Sequence, residues 1–172
     1  HSDSSAASDV YKRQVVGAYQ DVNAAYEYLT QRLGIPANKI IVYGYSVGGG
    51  PSVDLASRQP VAGLVIESSF TTAFRVVTGI PVYPFDKFPN IDNIKNVNCP
   101  VLVIHGNADR VIPFYHGQQL FAMVDQPKLS FWVNGAGHLN LLEVAGEEYV
   151  KVMTEFIRLV QYNQNSKLIV SD

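Results

Sequence analysis

The segment 39–58, KIIVYGYSVGGGPSVDLASR, decides the fold of this chain. Residues 39–43 form a largely apolar run rich in β-branched side chains, which is typical of a buried parallel strand. A helix is predicted over 47–58, with Pro51 tolerated only near its first turn. Between them, residues 44–48 fit G-x-S-x-G, a sharp strand-to-helix turn that lifts a serine hydroxyl above a sheet while small residues at 44 and 48 let the chain pass closely. Ser46 is therefore the candidate nucleophile.

The rest of the chain continues this alternation of strands and helices. Short apolar runs at 62–66, 101–104 and 129–133 predict further buried strands, and helical spacing of apolar residues predicts helices over 18–33, 114–124 and 149–160. The alternation favours a parallel α/β sheet with flanking helices.

Two stretches do not follow this rhythm. Residues 68–98 are rich in proline and aromatic side chains, and we expect them to make an excursion across the top of the sheet. Residues 161–172 are predicted to be a polar, loosely ordered tail.

Composition limits the functional classes. A length of 172 residues predicts one domain, and a net charge of −2 without a long charged run gives no indication of nucleic acid or an anionic membrane as the main partner. Cys99 is the single cysteine, which excludes an internal disulfide. No apolar stretch approaches the roughly 20 residues that span a bilayer. The sequence has no metal-binding motif and no complete dinucleotide fingerprint, so neither a metal nor another cofactor is expected.

The first residues require a separate interpretation. Residues 4–14 back-translate into a transposase adapter used to prepare shotgun sequencing libraries. We therefore interpret residues 1–14 as a sequencing artefact and exclude them from reasoning about the fold. The domain is then expected to occupy residues 15–160, and the natural N-terminus is expected to lie outside this sequence.

A serine hydroxyl needs a base to take its proton at neutral pH. His138 lies in a glycine-rich loop, 135–138, after the fourth predicted strand and before the last helix, and it is the candidate base. His105 and His116 are interpreted as structural, and His1 lies in the artefact.

The base needs a carboxylate to orient its ring. Asp109 follows the third predicted strand, which gives the chain order serine, aspartate, histidine that is typical of a hydrolase fold of this kind. Glu67 ends the second strand and is the rival, with a packed or capping carboxylate as its other interpretation. The free N–H groups behind Ser46 begin a helix and favour a developing anion, so the Val47 N–H is the candidate oxyanion donor.

These motifs together resemble the α/β-hydrolase domain-containing protein 17 family. The resemblance covers nearly all of 18–160, and the segments that carry it are the serine turn, 53–58, 85–91, 100–109 and 135–138. It implies the C-terminal part of an α/β-hydrolase fold, and it assigns nucleophile, acid and base to Ser46, Asp109 and His138. Members remove acyl chains from S-palmitoylated proteins, so the implied substrate is an acyl ester or thioester, the implied partner is an acylated protein, and the implied location is cytoplasmic.

The chain also departs from that family. The cysteine-rich, lipidated segment of animal members is not visible here, and neither are the first four strands of the fold. Those strands carry a His-Gly loop that supplies a second oxyanion donor. Losing one such donor costs roughly 3 kcal/mol, so weak activity is expected of this piece alone.

Two other functions stay open at this point. A peptidase of the prolyl-oligopeptidase type shares a glycine-rich serine turn and a similar acid loop, and a non-catalytic hydrolase-like binding module could share the fold. The aromatic stretch 70–88 is expected to line or cover an acyl pocket, with plain hydrophobic packing as the alternative for each side chain.

Overall fold

The computed structural model describes residues 16–72 and 88–169, and within them four parallel strands form one sheet. The strands are β1 (Ile41–Tyr45), β2 (Gly63–Glu67), β3 (Val101–Gly106) and β4 (Lys128–Val133), and their order in the sheet is the order along the chain. All three pairings are parallel and in continuous register. The predicted parallel α/β architecture is confirmed.

Helices connect and flank these strands. Helix α1 covers 16–27 and ends in a π-helical turn, Tyr28–Arg32. The others are α2 (Gly49–Arg58), α3 (Asn90–Asn93), α4 (Tyr115–Ala122), α5 (Leu141–Ala145) and α6 (Glu147–Ile169). The short helices α3 and α5 were not predicted, because four or five residues show no helical periodicity.

The sheet is buried on both faces. Alternate residues of β2 and β3 point to opposite sides, so Leu64 and Ile66 join a core with α2 and α4, while Val65 joins a second core with α6. Phe156 of α6 is fully buried in this second core. Double burial explains why the sequences of the central strands are continuous apolar runs.

Helix α6 corrects one prediction. Residues 161–169 are helical and continue α6, although the sequence predicted a loose tail from residue 161. The extension is polar, but it is attached to the body of the domain. Gln164 donates a hydrogen bond to the Asn38 carbonyl oxygen at 2.6 Å, and Lys167 donates one to that of Asn98 at 3.2 Å. These contacts are polar, so the spacing of apolar residues did not predict that the helix continues beyond residue 160.

About half of the irregular stretch 68–98, residues 73–87, lies outside the described residues. Of its aromatic side chains, Phe70 and Phe88 are described, and both are buried in a small cluster with Ile112. For these two side chains the packing interpretation holds. The prediction of an acyl-pocket lining at 73–87 stays a prediction, and so does that of a sequencing artefact over residues 1–14. In the described part of the chain, no helix has the length and apolar character needed to cross a membrane.

Candidate active site

The turn after β1 holds Ser46 in a strained conformation. Ser46 has a φ of +51°, in the left-handed region that a residue with a side chain rarely adopts. The turn is tight because β1 runs directly into α2: a Cβ on Gly44 would lie 2.7 Å from the Gly49 Cα atom. A Cβ on Gly49 would collide with the hydroxyl of Ser69, which donates a 2.9 Å hydrogen bond to the Ser46 carbonyl oxygen.

One detail of the predicted turn is wrong. The sequence motif indicated that Gly48 permits a close approach, yet a Cβ at Gly48 would meet no atom within 4 Å among the described residues. The approach is made at Gly49 instead. The motif specifies Gly48 only by its distance from Ser46 along the sequence. The close contact is between Gly49 and Ser69, and Ser69 lies in the loop after β2, outside the motif.

Ser46, His138 and Asp109 form one continuous hydrogen-bonded chain. Ser46 Oγ lies 3.0 Å from His138 Nε2, and His138 Nδ1 lies 2.8 Å from Asp109 Oδ2. The three residues follow β1, β4 and β3, so they meet because the carboxyl ends of parallel strands lie at one edge of the sheet. The structure thus brings together the three residues that the sequence proposed.

The Asp109 carboxylate is fixed by its own loop. Its Oδ1 accepts hydrogen bonds from the backbone N–H groups of Val111 and Ile112, at 2.9 and 2.8 Å. This leaves Oδ2 for His138, and the carboxylate side chain is fully buried. Hydrogen bonds to an ionised carboxylate are stronger than neutral ones, so the loop holds both the position and the orientation of Asp109.

The loops that carry Asp109 and His138 are hydrogen-bonded to each other. The Ala108 N–H donates to the Ala136 carbonyl oxygen at 3.0 Å, and the Gly135 N–H donates to Asn107 Oδ1 at 2.8 Å. Gly106 permits this contact, because a Cβ there would collide with the Ala136 carbonyl oxygen. The acid and the base are therefore presented by one connected unit.

Tyr45 connects the serine turn to the base. Its hydroxyl donates a 2.8 Å hydrogen bond to the His138 carbonyl oxygen, and its ring centroid lies 5.5 Å from that of His138. Burial, followed by the negative charges of Glu67 and Asp109, raises the pKa of Tyr45, so the hydroxyl stays protonated and remains a donor. Sequence reasoning missed this role because position 45 is a variable place in the motif.

Glu67, the rival acid, lies in a different network. It is buried and accepts hydrogen bonds from the hydroxyls of Tyr43 and Tyr149, the latter at 2.7 Å. Burial and the bond to Glu67 raise the pKa of Tyr149 to about 12. Among the described contacts none joins Glu67 to His138. The interpretation as a packed carboxylate fits this arrangement, which fastens α6 to β1 and β2.

The other two described histidines are both fully buried. His116 Nδ1 accepts a hydrogen bond from the Thr71 N–H at 3.3 Å, which fastens α4 to the loop after β2. His105 contacts the Asp109 loop. Both agree with a structural interpretation, and neither lies within hydrogen-bonding distance of Ser46 in the described contacts.

Val47 begins the helical turn behind the serine. The turn Ser46–Gly48 precedes α2, and the first amides of a helix have no partner within it, which leaves the Val47 N–H suited to bind an anion. The Val47 side chain is 59% exposed, and that of Leu139, next to the base, is 88% exposed. An exposed apolar residue therefore adjoins both the nucleophile and the base in the chain.

In the part of the chain that the structure describes, neither the cysteine thiol nor a cluster of metal-binding side chains forms a second reactive site. Burial raises the pKa of the Cys99 thiol to about 12, which keeps it protonated and unreactive. The described residues contain no group of three or more histidine, cysteine or acidic side chains that could hold a metal ion.

Comparison with known proteins finds similar sequences and similar folds. The sequence profile of the prolyl oligopeptidase family matches residues 7–160. The human alpha/beta hydrolase domain-containing protein 17B is 43% identical over 141 residues, which are 81% of this chain and 48% of the relative. The predicted resemblance is confirmed, and the chain spans about half the length of the curated relatives it matches.

Solved structures support the fold. The esterase domain of a Rhodothermus marinus protein superposes with a TM-score of 0.64 at 19% identity, over 83% of this chain and 69% of the other. An acylaminoacyl peptidase from Pyrococcus horikoshii reaches a TM-score of 0.68 at 15% identity, over 82% and 27%. At such low identity the likeness is one of fold alone.

Proposed function

Because this chain belongs to the prolyl oligopeptidase family and has an α/β-hydrolase fold, we propose that it is a serine hydrolase that cleaves carboxylic esters or thioesters through an acyl-enzyme. The observation that carries the proposal is the hydrogen-bonded chain from Ser46 through His138 to Asp109. In this geometry a serine, a base and an orienting carboxylate have the relations needed for acyl transfer.

In the proposed reaction, the Ser46 hydroxyl attacks the carbonyl carbon while His138 Nε2 takes its proton. The tetrahedral intermediate collapses to an ester on Ser46, and His138 returns the proton to the leaving alcohol or thiol. Water then attacks the acyl-enzyme while His138 takes its proton; the bond between Ser46 Oγ and the acyl group breaks, His138 returns the proton to Ser46 Oγ, and the carboxylic acid leaves. Asp109 keeps the His138 proton on Nδ1 and stabilises the positive imidazolium that forms.

The Val47 N–H is the proposed donor to the oxyanion. It lies at the start of the helical turn, where the amide dipoles favour negative charge. The exposed apolar residues Val47 and Leu139, next to Ser46 and His138 in the chain, support an acyl substrate, because an alkyl chain that packs against them loses water-exposed surface. An acylated protein is the proposed macromolecular partner, by analogy with the family that the chain resembles.

The test is labelling with a fluorophosphonate, which reacts with an activated serine. We expect Ser46→Ala to abolish labelling and Ser57→Ala to leave it unchanged. Ser57 is a matched control, because its hydroxyl donates a hydrogen bond to the Asp54 carbonyl oxygen within α2. Labelling of Ser46→Ala equal to that of the unmodified chain would exclude Ser46 as the nucleophile.

A serine peptidase is the second candidate, and the match to the prolyl oligopeptidase family favours it. The same groups can cleave an amide, so substrate preference decides between the two. Parallel assays on a p-nitrophenyl ester, an acyl thioester and a prolyl-p-nitroanilide peptide test this. Turnover of the anilide above that of both acyl substrates would favour the peptidase.

A further inference from the structure

The His105 side chain lies directly beside Asp109. His105 is fully buried near the carboxyl end of β3, and its Nε2 atom lies 2.9 Å from the Ile112 carbonyl oxygen and 3.6 Å from Asp109 Oδ2. A carbonyl oxygen can only accept a hydrogen bond, so Nε2 must carry the proton. The Nε2–H group of His105 therefore donates to the Ile112 carbonyl oxygen and also lies near the Asp109 carboxylate.

The environment of the other ring nitrogen keeps this histidine neutral. His105 Nδ1 has no hydrogen-bond partner among the described residues, and a Cβ on the neighbouring Gly117 would lie only 2.7 Å from it. A second proton there would be a buried donor without an acceptor. Burial accordingly lowers the pKa of His105, although the negative charges of Asp109 and Glu67 oppose this and the nearby His138 adds to it.

We propose that His105 is a positioning residue for the catalytic triad and acts through Asp109. Its N–H holds the Ile112 carbonyl oxygen, while the N–H of that same residue donates to Asp109 Oδ1. His105 thus closes the loop from β3 to Ile112 around the carboxylate. The inference rests on the proposed function, since it assigns His105 a role in orienting the acid of that triad.

Neutrality is essential to this role. An imidazolium at His105 would compete with His138 for the charge of Asp109 Oδ2, because both rings face that oxygen. A neutral N–H holds the loop and leaves the carboxylate charge to His138. Without His105, the loop fixes the Asp109 carboxylate less firmly, and Asp109 orients the His138 ring less well.

A matched pair of variants tests this role. Met and Gln have similar length, but only Gln keeps a terminal N–H donor. We expect His105→Met to lower kcat on a p-nitrophenyl ester about 10- to 100-fold with little change in KM. His105→Gln keeps the donor and should restore most of kcat.

Two results with folded variants would overturn the proposal. One is a His105→Met protein with unchanged kcat. The other is an equal loss of kcat in both variants, which would indicate packing alone.

A measurement on the unmodified protein keeps the proposal testable if the variants do not fold. The ¹⁵N shifts of the histidine rings are recorded between pH 5 and 8. We expect His105 to stay neutral with its proton on Nε2, and a proton on Nδ1 or a charged ring at pH 6 would overturn the proposal. Fluorophosphonate labelling of unmodified Ser46 is read separately, so a failure of the proposed function is distinguished from a failure at His105.

Discussion

Replacing Asp109 by Asn exchanges one carboxylate oxygen for an amide NH₂ group at nearly constant volume. Two orientations of the amide are possible in the structure. With its oxygen toward the loop, it keeps the bonds from the Val111 and Ile112 N–H groups but turns NH₂ toward His138 Nδ1. His138 must then carry its proton on Nε2, facing Ser46, where it cannot accept the hydroxyl proton.

The opposite orientation restores the correct tautomer but faces NH₂ toward the N–H donors of Val111 and Ile112, and the Ile112 donor is buried. Leaving that buried donor unsatisfied costs about 1–3 kcal/mol, so the productive orientation is disfavoured by at least about 1 kcal/mol, or roughly fivefold. The lost negative charge no longer stabilises the imidazolium, which lowers the rate further. The corresponding substitution in a serine protease with the same three residues lowers kcat by about 10⁴. We expect Asp109→Asn to lower kcat by about 10² to 10⁴.

The assay is steady-state hydrolysis of a p-nitrophenyl ester, with Glu67→Gln as the control. Glu67 accepts hydrogen bonds from two tyrosine hydroxyls, and the Gln oxygen can accept them too, so its kcat should stay within about threefold. The reasoning would be refuted if Asp109→Asn retained kcat within tenfold, or if Glu67→Gln lost more activity than Asp109→Asn.

Two further predictions concern residues around the site. Tyr45→Phe removes the hydroxyl that bonds the His138 carbonyl oxygen but keeps the ring, so we expect kcat to fall about threefold to tenfold, and an unchanged kcat would show that this bond does not position the base. Phe156→Ala removes a fully buried ring from the core beneath β2 and β3, so urea denaturation should show a loss of about 3–5 kcal/mol in the free energy of unfolding. Ile157→Ala on the exposed side of the same helix is the control and should cost under about 1 kcal/mol.

The fold could be predicted because the buried strands carry an unmistakable pattern. The segments 62–66 and 101–104 are continuously apolar, and two covered sheet faces require this. The choice between Asp109 and Glu67 needed the structure, since both follow neighbouring parallel strands. The directions of the two side chains decide between them: Glu67 faces Tyr149 on α6, whereas Asp109 faces His138.

The supporting contacts were beyond the sequence for a different reason. Ser69 and Tyr45 each act through a single hydroxyl on a backbone carbonyl far along the chain. Such a bond leaves no periodicity and needs no particular spacing. The same holds for the hydrogen bonds that attach residues 161–169 to the domain, and this is why the sequence predicted a tail where the structure has a helix.

The sequence separations within the Ser46–His138–Asp109 arrangement carry a consequence for the order of folding. Asp109 and His138 are 29 residues apart and lie on the loops of adjacent strands, whereas Ser46 and His138 are 92 residues apart. Closing the longer loop costs about 1 kcal/mol more chain entropy. The pairing of β3 with β4 can therefore assemble acid and base first, and the strained serine turn joins a partner that is already oriented. A nascent chain would carry its acid–base pair before it carries an activated nucleophile.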